Sequence, residues 1–352
     1  MNSNNRRISH SSTSGTNGTS NVNVSTGVDF STRESGGQQM APEKVSAPHT
    51  DGQALREQPG IEFAPGLLLD IVRPADDRAL PAIIWLHGGA WRMGDRSWRP
   101  DFARYFARSG FVMVSIDYTL SGDAVFPQQL LDVRAGIRWV RENAEAYGIL
   151  ADSIGLWGSS AGGHLAALAG LHGGAPAIFG EPEGAGSAAV QAVMDGYGAG
   201  DLLAPDQDNP PTAGLLGGSP GERRELATLA SPARTAVTGA PPFLIMHGAA
   251  DDLVPASQSI ALYKALAAGG TDATLYLIDG FGHGFLNPAG LDEVAPGPRL
   301  DSGRLEADPT ATAELRSTSG RAWPVSATFE VIEQFFREHL DSTSNTTTGA
   351  EA

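Results

Sequence analysis

Cysteine is absent from the 352 residues. That excludes disulfides, a thiol nucleophile and any cysteine-ligated metal. There is no run of about 18 apolar residues, the length a membrane-spanning helix needs, so no span is expected. Arg6 and Arg7 are followed by no apolar stretch, so no secretory leader is expected and the cytoplasm is the default compartment. Basic residues are scarce: 24 Lys plus Arg against 40 Asp plus Glu leave a net charge of -16. Nucleic-acid binding rests on a basic footprint and is not expected. Large apolar residues are rare in 1–55 and again in 341–352, where Ser, Thr, Asn and Gly dominate. Such segments bury too little surface to offset the entropy of ordering, so both are expected to be disordered tails. Residues 56–340 remain as one catalytic-domain-sized unit.

Within that unit apolar runs alternate with helical patterns. Strands are expected at 67–72, 82–86, 111–116, 154–157, 189–194, 243–246 and 274–278. Helices are expected at 97–108, 127–146, 164–171, 257–268 and 327–340. Continuous apolar strands separated by helices predict an α/β fold, a mostly parallel central sheet covered on both faces. Ligands bind such sheets beyond the carboxyl ends of the strands. The irregular stretch 200–240 is expected to arch over that edge as a small cap, with one short helix at 221–230.

The most informative stretch is Gly158, Ser159, Ser160, Ala161 and Gly162. It fits G-x-S-x-G, the nucleophile elbow, with Ser160 at its centre. An apolar strand leads in and a helix leads out. A strand-to-helix turn strains the central residue and lifts its hydroxyl above the sheet. Flanking glycines let backbone and substrate come close.

A serine hydroxyl needs a general base, usually a histidine oriented by a carboxylate. In the chain order Ser, acid, His, only three of the eight histidines lie well past Ser160: His247, His283 and His339. His339 reads as a helix-end cation, and no acid lies between His247 and its own strand. His283 sits between Gly282 and Gly284 after a strand, and is the expected base. His164 reads as helix packing. The acid should follow the 243–246 strand. Asp251 is preferred, with Asp252 as the fallback and Asp195 as a weaker alternative. Asp279 reads as structural.

Charge builds on the carbonyl oxygen in acyl transfer, so preorganised N–H donors are required. The strand ending at Leu86 runs into His87, Gly88 and Gly89. Gly88, Gly89 and Ala161 are the expected oxyanion donors. Trp91, Tyr118 and Tyr197 are candidate pocket residues. Arg92, Asp95 and Arg96 read as a loop-stabilising ion network.

These residues resemble the α/β-hydrolase superfamily, and more narrowly the hormone-sensitive-lipase-like esterases and the bacterial feruloyl and acetyl-xylan esterases. The similarity runs through His87 to Asp95, Asp117 to Ser121, Phe126 with Pro127, Gly158 to Leu165, His247 to Pro255 and Gly282 to Phe285, and covers roughly 61–340. Ala90 departs from the pattern, standing where many relatives have a third glycine. The stretch 286–323 is longer than the usual path from histidine to last helix. The resemblance implies a cofactor-independent, metal-free serine carboxylesterase acting on small-molecule esters, short-chain or aryl, through an acyl-enzyme on Ser160. A feruloyl or acetyl-xylan esterase, or an amidase or aryl-formamidase on the same triad, is the alternative.

Overall fold

The computed structural model describes residues 44–45, 54–175, 177–178, 180–182, 184–236, 238–291 and 300–341. The remainder of the two expected tails lies outside the described residues.

Ten strands form one sheet: β1 (Lys44–Val45), β2 (Leu55–Ala64), β3 (Leu67–Pro74), β4 (Leu80–Leu86), β5 (Val112–Ile116), β6 (Ile149–Ser159), β7 (Ala192–Gly196), β8 (Phe243–Gly248), β9 (Ala273–Ile278) and β10 (Ala313–Ser317). Their order is β1-β2-β3-β5-β4-β6-β7-β8-β9-β10. The six strands from β5 to β9 in that order run parallel. β1, β2 and β3 add an antiparallel edge on one side, and β10 pairs antiparallel with β9 on the other. The helices are α1 (Gln128–Glu142), α2 (Ala161–His172), α3 (Pro210–Leu216), α4 (Arg224–Leu229), α5 (Pro232–Thr235), α6 (Ser257–Ala268), α7 (Arg304–Ala307) and α8 (Phe329–Leu340).

The apolar runs behave as buried parallel strands should. Every residue of β4 is buried. Its side chains alternate between two layers. Ala82, Ile84 and Leu86 join the core under α1, α2 and α6, while Ile83 and Trp85 join the core under α8. In α1 the buried Leu130, Val133, Ile137 and Val140 recur at helical spacing and form its inner face. Thr328 caps α8, its hydroxyl accepting the Val331 amide at 3.3 Å.

Three strands escape the apolar-run reading. β1 lies within the stretch expected to be a disordered tail. β2, next to the short edge strand β1, mixes polar and apolar residues, carries Pro59 and Gly60 mid-strand and has a register shift between Gln58 and Ile61. β10 lies inside the expected insertion 286–323. The helix expected at 97–108 forms only a single wide turn, Ala103–Ala107. Upstream, the carbonyls a helix would use are taken by side chains. Arg96 C=O accepts from the Ser115 hydroxyl at 2.6 Å, and Trp98 C=O from the Trp85 indole at 2.9 Å. Pro100 also lacks the amide a helix interior needs.

Because β4, β6, β8 and β9 are parallel, the loops after them meet at one edge of the sheet. Those loops carry Gly88, Ser160, Asp251 and His283.

Candidate active site

β6 ends at Ser159 and α2 begins at Ala161, so Ser160 alone makes the turn. Its backbone sits at φ 53°, ψ -117°, a costly region for a residue with a Cβ. The Ser160 amide donates to the Gly196 carbonyl at 2.7 Å, and the His164 amide to the Ser160 carbonyl at 3.0 Å. Close approach demands glycine on both sides. A Cβ on Gly158 would stand 2.2 Å from the Gly162 carbonyl oxygen, and one on Gly162 2.0 Å from that of Leu86.

Ser160 Oγ lies 2.8 Å from His283 Nε2. His283 Nδ1 lies 2.6 Å from Asp251 Oδ2. An ionised carboxylate only accepts, so Nδ1 carries the proton and Nε2 is left to accept from the serine hydroxyl. Asp251 is buried, and its Oδ1 accepts the amides of Leu253 at 3.0 Å and Val254 at 2.9 Å. Its Oδ2 also lies 3.3 Å from Nε2 of His247. Burial pushes the Asp251 carboxyl up, but hydrogen bonds from His247 and His283 outweigh it and hold the group well below the usual carboxylate range. The neighbouring Asp252 is exposed to solvent. Asp195 is buried apart from this line, with Oδ1 accepting the Gly198 amide at 2.9 Å. Asp279 is exposed and accepts from the Thr312 hydroxyl.

A cavity of about 430 Å³ opens over the serine, and Gly88, Gly89, Ala161, Ser160 and His283 all line it. The amides of Gly88, Gly89 and Ala161 have no acceptor among the described residues. Gly89 takes φ 116°, and a Cβ there would stand 2.1 Å from the Met93 carbonyl oxygen. Ala90 and Trp91 follow at φ 54° and 59°, left-handed conformations in residues that carry a Cβ.

Two buried contacts hold that loop. The Trp91 indole donates to His164 Nδ1 at 3.1 Å, and His164 Nε2 donates to the Ala230 carbonyl at 2.7 Å. Burial pushes His164 down to about 4, so it stays neutral and its Nδ1 remains an acceptor. The helix-packing reading of His164 therefore misses its role as the anchor of Trp91. On the other flank, Arg96 binds Asp70 at 2.7 Å and Asp117 at 2.9 Å, tying the loop to β3 and to the end of β5. The ion network is thus centred on Arg96, with Asp70 and Asp117 as partners in place of Asp95.

Of the three expected pocket residues, Trp91 lines the cavity and the two tyrosines do not. Tyr118 stacks on His87 with ring centroids 4.3 Å apart, and its hydroxyl donates to the His87 carbonyl at 3.0 Å. It supports the oxyanion loop from below. Tyr197 is fully buried and packs edge-on against the His283 ring at 4.7 Å. Its hydroxyl accepts the Leu286 amide at 3.2 Å, so it backs the base. In both, burial suppresses ionisation and raises the phenol.

The rest of the wall comes from the segments that sequence left irregular. Gln207, Asn209 and Thr212 enter from the cap stretch, Asn287 and Leu300 from the insertion. Among the described residues no group of three His, Asp or Glu is placed to hold a metal ion, and no helix is long and apolar enough to cross a membrane.

With this geometry in hand, the chain can be set beside known proteins. The BD-FAE family model matches residues 69–266, a stretch that includes Gly88, Gly89, Ser160 and Asp251 and stops short of His283. Esterase LipC of Mycobacterium tuberculosis is 34% identical over 234 residues, covering 63% of this chain and 57% of that protein. Esterase LipQ of the same organism is 35% identical over 253 residues, covering 66% and 58%. The chain thus spans little more than half the length of these relatives. Among solved structures, a truncated carbohydrate esterase from gut microbiota aligns with TM-score 0.59 and 30% identity, covering 68% of this chain and 92% of that one. A propionate-bound thermophilic esterase of Thermogutta terrifontis aligns with TM-score 0.53 and 26% identity, covering 73% and 90%. The fold is that of the α/β-hydrolases.

Proposed function

Since the chain belongs to the BD-FAE family, we propose that it is a serine carboxylesterase that hydrolyses small carboxylic esters through an acyl-enzyme on Ser160. The observation that carries this reading is the unbroken line from Ser160 Oγ through His283 to Asp251, at 2.8 Å and 2.6 Å, beneath a cavity edged by free amides.

His283 Nε2 takes the hydroxyl proton as Ser160 Oγ attacks the ester carbonyl. Asp251 keeps Nδ1 protonated and stabilises the imidazolium. The amides of Gly88, Gly89 and Ala161 receive the oxyanion, a contribution of about 2.7–4 kcal/mol for each donor by comparison with other hydrolases. The imidazolium then protonates the departing alkoxide, and the alcohol leaves. Water, deprotonated by His283, attacks the acyl-enzyme and releases the acid and free Ser160. Every proton removed by His283 is returned, so no cofactor is needed.

Trp91, Met93, Trp98, Leu253 and Val254 give the cavity a largely apolar wall. That wall suits a short acyl chain or an aryl group. A second reading, an ester carried on a carbohydrate, is favoured by the likeness to the gut-microbiota carbohydrate esterase.

The test is initial rates on p-nitrophenyl acetate, butyrate and octanoate, on methyl ferulate and on an acetylated xylo-oligosaccharide, with wild type beside Ser160→Ala. Activity should fall with acyl length. Ser160→Ala should lose about six orders of magnitude in kcat with an unchanged melting temperature. Turnover that survives in Ser160→Ala sinks the assignment. A preference for the sugar acetate over p-nitrophenyl acetate moves the substrate to carbohydrate esters.

A further inference from the structure

His247 takes no part in the mechanism above, yet it touches the same carboxylate oxygen as the base. It closes strand β8 and is fully buried. Its Nε2 faces two oxygens, the Val254 carbonyl at 2.7 Å and Asp251 Oδ2 at 3.3 Å. Both only accept, so Nε2 must carry a proton. Its Nδ1 lies 2.6 Å from the hydroxyl of Ser259 on α6, and in a neutral ring it accepts that proton. The tautomer is therefore fixed from both sides. The other groups near this imidazole are Asp195 on the adjacent strand β7, whose carboxyl it helps to hold down, and Tyr197, whose ring meets it edge-on at 6.5 Å. His283 reaches it only through the shared oxygen.

We propose that His247 is a positioning residue for the triad acid, a buried imidazole whose Nε2–H, given to the Val254 carbonyl, lies 3.3 Å from the same Asp251 Oδ2 that faces His283 and so tempers the charge that oxygen presents to the base. This rests on the assignment of Ser160, His283 and Asp251 as the catalytic line. An N–H dipole set beside a carboxylate oxygen draws off part of the charge it offers to a partner on its other side. Without His247, more of that charge is left to His283, and the acid limb of the pH–rate profile is expected to move up. The carboxylate also loses one of the contacts that aim it, so kcat falls. KM changes less than kcat, because His247 reaches the cavity wall only through the Val254 carbonyl.

Three substitutions separate this from simple packing. His247→Gln keeps an N–H donor where the imidazole Nε2 lies. His247→Asn is too short to reach, and His247→Phe fills the volume without a donor. Each is assayed on p-nitrophenyl butyrate from about pH 5 to pH 9. Asn and Phe should lower kcat about tenfold or more, change KM by less and move the acid limb of kcat/KM up by about half a pH unit or more. Gln should keep the wild-type midpoint. If Asn and Phe share the wild-type midpoint, or if Gln shifts as far as Phe, the proposal is overturned. Should Asn and Phe fail to fold, Ser259→Ala replaces them. It frees the ring to turn and should shift the limb upward by less, and an unmoved limb overturns the proposal. Ser160→Ala is run in parallel. A live Ser160→Ala removes the esterase reading and this inference with it, whereas a dead one beside unmoved midpoints removes only the role of His247.

Discussion

Asp195 and Asp251 stand at the same edge of the sheet, on or just beyond the paired strands β7 and β8, and both are buried. They differ in what donates to them. Asp251 accepts two backbone amides and faces two imidazoles, and it is held low. Asp195 is pushed up to about 6 by burial, only partly offset by the Gly198 amide and the field of His247. Burial therefore raises a carboxyl in this core, and the donors decide how far it is brought back down. Glu181 makes the same point far from the site. Burial raises it, but Arg138 and Arg134, both bonded to it within 3.0 Å, bring it down to about 2. An ionised acid that has a catalytic neighbour can serve catalysis. One whose partners are arginines and a backbone amide serves the fold.

The sharpest way to break the comparison is Asp251→Asn. The amide keeps the shape but removes the charge, and its NH₂ can turn to His283 Nδ1 and force the wrong tautomer. kcat should fall about 10⁴-fold, read on p-nitrophenyl butyrate, while the exposed Asp252→Asn keeps the wild-type rate. Equal losses in the two would return the choice of acid to the open state it has in sequence. Next in size is Glu181→Gln, which strands two buried guanidinium groups and should cost about 3 kcal/mol or more at neutral pH. Its folded pKa is depressed from 4.5 to about 2, so its contribution is complete above about pH 4.5 and fades as pH falls towards 2. Urea unfolding at pH 7 and near pH 3 should show the deficit of the variant shrinking in acid. A deficit that stays constant would mean that the side chain acts by packing.

Much of this contrast was legible in the chain. The seven strands expected from apolar runs are all present, because strands buried on both faces, six of them parallel, need continuous apolar residues. Ser160, His283, Asp251 and the Gly88–Gly89 loop come together because each follows such a strand. Tyr118 and Tyr197 were misjudged, since a residue after a strand end can turn into the pocket or beneath it and both turned beneath. Chain order excludes His247 as the base and says nothing of its contact with Asp251. The signal for its contact was its i, i+4 spacing from Asp251 across the strand end. The cap residues Gln207, Asn209 and Thr212 carried no such signal. Their place depends on α3 and on ties from Gln258 to the 200–206 stretch, which no local pattern encodes.

Asp195→Asn is the gentlest test and probes the other half of the pair. A folded-state pKa raised from 3.8 to about 6 means that the folded protein still holds a proton where the unfolded chain has lost it. Stability therefore falls as pH rises through that window and levels off above it. A shift of this size is worth roughly 2–3 kcal/mol, reached only once the folded group ionises. Asparagine is isosteric, and its carbonyl can still accept the Gly198 amide at the position where Oδ1 now lies, 2.9 Å away. The variant should therefore match wild type near pH 4 and exceed it by up to that amount above pH 6, with kcat unchanged, because Asp195 touches neither Ser160 nor His283. Thermal midpoints across this range decide it. A variant less stable than wild type at pH 7 would mean that partners in the fold stabilise the Asp195 carboxylate, and the contrast with Asp251 would then rest on position rather than on donors.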